Sequence, residues 1–77
     1  MRPLREILGN NIRTIRTEKG ISQEGLAFMC GLHRTYISDI ERATRNVAVD
    51  NIEKISNALS IKAAVLFDEG GRENTNI

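Results

Sequence analysis

The chain predicts an all-α domain of five short helices, and three observations carry that expectation. Apolar residues recur along it at three- and four-residue spacings, and no alternating run suits a strand. Its single proline, Pro3, can occupy the first turn of a helix without removing a needed donor. Candidate caps, Gly20, Ser22, Gly31 and Asp50, fall between the apolar stripes rather than within them.

Leu4, Ile7, Leu8, Ile12 and Ile15 form the stripe of a first helix over about residues 3–19. Lys19 places a cation in its last turn, and Gly20 suits a left-handed cap. Asn10 and Asn11, in its middle, register as a weakness of propensity only. Ser22 is the next N-cap, with Glu24 adding a favourable charge to the first turn. Leu26, Ala27 and Cys30 give this second helix an apolar face of about two turns, ended by Gly31. Gly25 inside it costs roughly 1 kcal/mol relative to Ala, so tertiary packing must hold it. Leu32 is the apolar residue of the tight turn that follows.

His33 or Arg34 starts the third helix, which turns Ile37 and Ile40 inward and ends near Arg42 and Ala43. Thr44, Arg45 and Asn46 read as a loop. Asp50 and Glu53 match a D-x-x-E capping arrangement for a fourth helix, whose buried face is Ile52, Ile55, Ala58 and Leu59. Ser60 and Ile61 break it, and Lys62 to Phe67 makes the fifth. The division expected is one domain over residues 1–69 and a flexible tail over 70–77, which has no apolar spacing.

At 77 residues and 8.6 kDa the chain excludes a two-lobed enzyme, a barrel or a doubly wound sheet. A domain of this size buries only about 60% of its unfolded surface. One cysteine permits neither an intramolecular disulfide nor a Cys/His zinc set. A partner subunit is the remaining way to add buried area, so dimerisation is expected. No acid/base pair stands out, and Cys30 has no His–acid support that would make it a nucleophile. No enzyme activity, catalytic residue, metal, cofactor or small-molecule ligand is therefore expected.

Net charge is +1 but unevenly spread. Residues 1–45 carry eight bases against five acids, a balance of +3; residues 46–77 carry three against five, a balance of −2. That split suits one face for an anion and another for a different contact, although scattered surface charge is the plainer alternative. No apolar run approaches the roughly 18 residues of a membrane span, and the N-terminus is too charged to lead into a signal sequence. A cytosolic location follows, and it suits a reduced Cys30.

The informative segment is residues 21–42, ISQEGLAFMCGLHRTYISDIER. Two helices crossing steeply through a short turn need a small residue at their approach, a residue free to take positive φ, and apolar contacts on each helix. Ala27 supplies the first and Gly31 the second. Leu26, Cys30, Leu32, Ile37 and Ile40 supply the contacts, all at the spacing of a helix-turn-helix DNA-binding motif. The plainer alternative is a helical hairpin in a bundle that binds nothing.

Residues 8–67 resemble the Cro/phage-repressor-type (XRE) domain, a compact five-helix, lambda-repressor-like DNA-binding fold. The resemblance rests on Leu8-Gly9, Ile12-Arg13, Arg16, Gly20-Ile21-Ser22-Gln23-Glu24, Leu26-Ala27, Gly31, Ile40-Glu41-Arg42, Ala58-Leu59 and Phe67. Within that family, His33-Arg34-Thr35-Tyr36-Ile37-Ser38, Ile40-Glu41-Arg42 and Arg45-Asn46 are similar to the controller proteins of bacterial restriction–modification systems. The resemblance implies a bacterial, nucleoid-associated homodimer on a palindromic operator in double-stranded DNA. It also implies activation and repression of its own operon, with RNA polymerase as a further partner. Three residues depart from the family pattern: Gly25 in helix two, Ala43 where many relatives have glycine, and Ala48 where relatives often carry a phosphate-contacting hydroxyl.

In such a motif the third helix enters the major groove with its N-terminal side chains at base edges. Arg34 is the leading base reader, because a guanidinium can donate two bonds to guanine, worth about 1–3 kcal/mol of discrimination. Thr35 and Ser38 share that face. Tyr36 either reaches a base or phosphate or covers the contact with helix two. Asp39 either accepts from cytosine or pairs with Arg42. The resemblance makes Gln23 a phosphate clamp; Arg42, Arg45, Asn46 and Asn51 should lie along neighbouring phosphates. His33 is a phosphate contact or an N-cap. Arg16 pairs with Glu41 inside the domain or joins the phosphate contacts. Val49, Val65 and Phe67, on an apolar and less basic half, are the expected dimer interface, and a two-fold dimer sets its reading helices about 34–36 Å apart.

Two rival readings stand beside this one. An antitoxin or phage-type repressor would keep the operator contacts and change the circuit. A helical protein-interaction module would have no use for Arg34, Thr35, Arg45 and Gln23 at these spacings.

Overall fold

The computed structural model describes residues 2–69; the tail expected over 70–77 lies outside the described residues. Among these, four α-helices precede a short 3-10 turn: α1 (Leu4–Glu18), α2 (Gln23–Cys30), α3 (Arg34–Glu41), α4 (Val49–Ala58) and the 3-10 turn Ala63–Phe67. The fifth expected helix is thus not an α-helix. Five residues after the Ser60–Ile61 break are too few to repay the nucleation of an α-helix, and the tighter turn suffices to carry Leu66 into the core.

Apolar burial organises these elements. Ile12, Leu26, Ile37, Ile55 and Leu66, one from each element, are completely buried, as is Leu59 just after α4, and Ile15 and Ile40 are nearly so. α3 packs on α1 and α2, α4 on α2, and the 3-10 turn on α1 and α4. The α1 stripe is buried at Ile7, Leu8, Ile12 and Ile15, whereas Leu4 is 63% exposed. Leu4 instead lines an open cleft beside Val47 and Phe67.

The ends of the helices follow their cap residues. Ser22 Oγ accepts from the Gly25 backbone N–H at 2.9 Å, which starts α2 as its sequence predicts. Gly31 ends α2 at φ +70°, a conformation that only glycine adopts without strain, and turns the chain toward α3. Ala43, after α3, takes φ +62° with a side chain present. The fourth helix begins earlier than the D-x-x-E pattern suggests: Ala48 is its N-cap and makes no side-chain cap bond. Asp50 sits inside the first turn, where its charge still favours the helix dipole.

Two residues of α1 do more than their propensities indicate. A Cβ on Gly9 would meet the Ile40 carbonyl oxygen at 2.3 Å and that of Glu41 at 2.9 Å, so its bare backbone lets α1 reach the end of α3. Asn11 is buried, and its Nδ2 donates to the carbonyls of Leu66 and Asp68 at 2.9 Å and, more weakly, Val65 at 3.4 Å. It fastens the 3-10 turn to α1 rather than merely weakening the helix. Among the described residues every buried side-chain polar atom has a partner, and no helix is long and apolar enough to cross a membrane.

Candidate nucleic-acid interface

Burial of Ile37 and Ile40 fixes the rotation of α3 and presents its opposite face outward. Arg34 and Thr35 are exposed on its first turn, and Ser38 is half-buried one turn on. His33 holds the N-cap position with extended backbone, and its side chain makes no cap bond. Between these and the next elements lies an open cleft of about 420 Å³, lined by Gly31, Leu32, His33, Thr35, Tyr36, Arg45 and Asn51.

Beneath the first turn of α3 runs a chain of hydrogen bonds that begins in the core. Arg16 and Glu41 form a bidentate pair, Nε to Oε2 at 2.7 Å and Nη2 to Oε1 at 2.9 Å, and Arg16 also donates to the Ile21 carbonyl at 2.9 Å. The Glu41 hydrogen bond holds the Arg16 guanidinium proton more tightly than usual, against a smaller opposing effect of burial. Glu41 Oε1 accepts in addition from Gln23 Nε2 at 3.0 Å, and Gln23 Oε1 accepts from Arg34 at a longer 3.4 Å. Gln23 therefore stands between a buried ion pair and the exposed Arg34. Of the two alternatives left open for Arg16, the internal pair is the one observed.

A second cluster joins α3 to the loop after it and to α4. Asn51 Nδ2 donates to the Tyr36 hydroxyl at 2.9 Å, and the Arg45 guanidinium lies over the Tyr36 ring at 5.1 Å. Asp39 receives Arg42 at 2.6 Å and Arg45 at 3.2 Å. Those bonds, Arg42's foremost, hold the Asp39 carboxyl below its ordinary range despite an opposing desolvation. The salt-bridge alternative for Asp39 is thus realised. One carboxylate against two guanidiniums leaves this patch cationic.

The remaining expected residues stand elsewhere. Asn46 leaves the Tyr36 cluster and accepts from Arg5 at the start of α1. Val49 is 78% exposed, while Val65 and Phe67 are half-buried and rest partly on the protein's own core. Cys30 is buried; burial pushes its thiol up, with Lys54 opposing in part. Sequence reasoning missed Arg5, Gly9 and Asn11. The last two carry a readable signal: a glycine inside a helix next to Leu8 of the apolar stripe, and an asparagine four residues after Ile7 and four before Ile15, on the same side of the helix as that stripe.

A helix-turn-helix family model matches residues 12–66. Control protein C.BamHI of Bacillus amyloliquefaciens is 59% identical over 66 residues, which cover 84% of this chain and 82% of that one. The crystal structure of the restriction–modification controller protein C.AhdI from Aeromonas hydrophila superposes with a TM-score of 0.80 at 46% identity, over 82% of this chain and 96% of the other. The chain belongs to the helix-turn-helix family of restriction–modification controller proteins. A further controller protein, C.Esp1396I, superposes with a TM-score of 0.77 at 40% identity, over 87% of this chain and 88% of its own, in a structure of its tetramer on its natural 35-base-pair operator. Controller proteins are regulators rather than enzymes. α2 and α3 both lie within the residues that the helix-turn-helix model matches.

Proposed function

We propose that this chain binds a palindromic operator in double-stranded DNA as a homodimer and, through it, regulates a restriction–modification operon. The observation that supports this most is Arg34, exposed at the start of α3 and steadied from behind by Gln23, which Glu41 in turn orients. Base readout falls to Arg34, Thr35, Tyr36 and Ser38, whose outward donors suit base edges in the major groove. Backbone contact falls to Gln23, His33, Arg42, Arg45, Asn46 and Asn51. Gln23 keeps one amide N–H beyond its bond to Glu41, enough for a phosphate oxygen.

Val49, Val65 and Phe67 are the proposed pairing surface. The exposure of Val49 supports this, and so does the small core of one subunit. RNA polymerase is a further proposed partner, and the protein is assigned to the bacterial cytoplasm at the nucleoid. Sequences bound from a randomised duplex pool test the reading: a palindrome should be enriched, and a pool left random would defeat it. Sedimentation at micromolar concentration should give a dimer that Val49→Asp weakens; a wild-type monomer would remove the pairing surface.

A further inference from the structure

We infer that Arg5, at the start of α1, is a contact to the sugar–phosphate backbone that acts jointly with Asn46. The DNA-binding face then extends beyond the two-helix motif to the first turn of the chain. The inference rests on the operator-binding reading above. Arg5 Nη2 donates to Asn46 Oδ1, an exposed bond between residues 41 apart in sequence. It brings α1 beside the loop that carries Arg45.

The charges on this face are not equally available. Arg42 and Arg45 share Asp39, and Arg16 is spent on Glu41. Arg5 meets only a neutral amide oxygen, and among the described residues no carboxylate pairs with it. Glu6, the next residue, points about 100° away around the helix. With Oδ1 turned to Arg5, the Asn46 amide has its Nδ2 left to donate, and no acceptor within the described residues takes it. The pair is thus an exposed group of donors with one full positive charge. A phosphodiester oxygen is the ligand that such a group suits, and it carries no sequence preference.

The salt dependence of operator affinity separates this role from a mere strap. Arg5→Gln keeps an amide donor toward Asn46 and removes the charge, whereas Arg5→Lys keeps the charge. Each phosphate neutralised contributes about 0.9 to the slope of log K against log salt. A homodimer carries two copies of this contact, so Arg5→Gln should lower the slope by about 1.8, and the wild-type advantage should shrink roughly 12-fold between 50 and 200 mM salt. It should weaken operator and unrelated duplex alike, and Arg5→Lys should keep the wild-type slope. Thermal unfolding of each variant checks that the fold is intact. A folded Arg5→Gln variant with the wild-type slope overturns the inference, whatever its affinity. A wild type that selects no operator overturns the reading beneath it instead.

Discussion

Replacing Glu41 by Ala removes the acceptor of three hydrogen bonds at once: two from Arg16, at 2.7 and 2.9 Å, and one from Gln23 at 3.0 Å. The side chains of Arg16 and Glu41 are only 10% and 3% exposed, so water does not take over the lost role. Arg16 keeps the Ile21 carbonyl and a buried charge with no counter-ion. Breaking a buried pair from one side costs about 3–5 kcal/mol. A chain of this length has about 4–12 kcal/mol of stability in all. Urea unfolding followed by far-UV circular dichroism, at fixed protein concentration, should show Glu41→Ala losing a large share of that total. Arg16→Met with Glu41→Leu should lose less than Glu41→Ala alone, because the apolar pair strands no charge. It gives up only the bonds to Ile21 and Gln23, about 1 kcal/mol each. A cost below about 1 kcal/mol for Glu41→Ala, or a double variant weaker than the single, would refute a buried and structurally required pair.

Three further outcomes follow from particular residues. Ala43→Gly should raise the urea midpoint, since φ +62° strains a residue with a Cβ by about 1–2 kcal/mol and glycine's greater unfolded freedom cancels only part of that; a lower midpoint contradicts it. Asn11→Leu should destabilise by about 1–3 kcal/mol, by leaving the Leu66 and Asp68 carbonyls without their donor, and a neutral effect in the same assay would count against that role. Cys30 should react with a thiol reagent far more slowly in the folded chain than in urea. Because folding raises its pKa, the associated stability is fully present below the unfolded thiol's value and declines as pH rises past it. Rapid labelling of folded protein at neutral pH would show the thiol to be accessible.

The motif was legible because each of its positions answers a separate steric demand. Ser22 and Gly31 cap as their chemistry requires, and Leu26, Ile37 and Ile40 are buried as their spacing requires. The Arg16–Glu41 pair and the Asp39–Arg42 bridge were among the stated alternatives, since opposite charges at those positions have obvious partners. What escaped depends on tertiary placement. A local capping pattern at Asp50 could not say that the backbone already turns helical after Ala48. Leu4 belongs to an apolar stripe, yet it stays exposed while Ile7, on the same turn, is buried. Tyr36 serves as a platform for Arg45 and a partner for Asn51, from two elements whose approach no local spacing encodes. The bond from Arg5 to Asn46 lies further still beyond sequence periodicity.

The most direct test of operator reading by α3 is a parallel selection from one randomised duplex pool with wild type, Arg34→Ala and Gln23→Ala. Arg34→Ala should lose preference at one base pair, repeated symmetrically in the two half-sites, at a cost of about 1–3 kcal/mol there. Gln23→Ala should weaken binding to all sequences more evenly. An Arg34→Ala variant that enriches the same palindrome as wild type, with undiminished preference at every position, would contradict the assignment of Arg34 as the base reader.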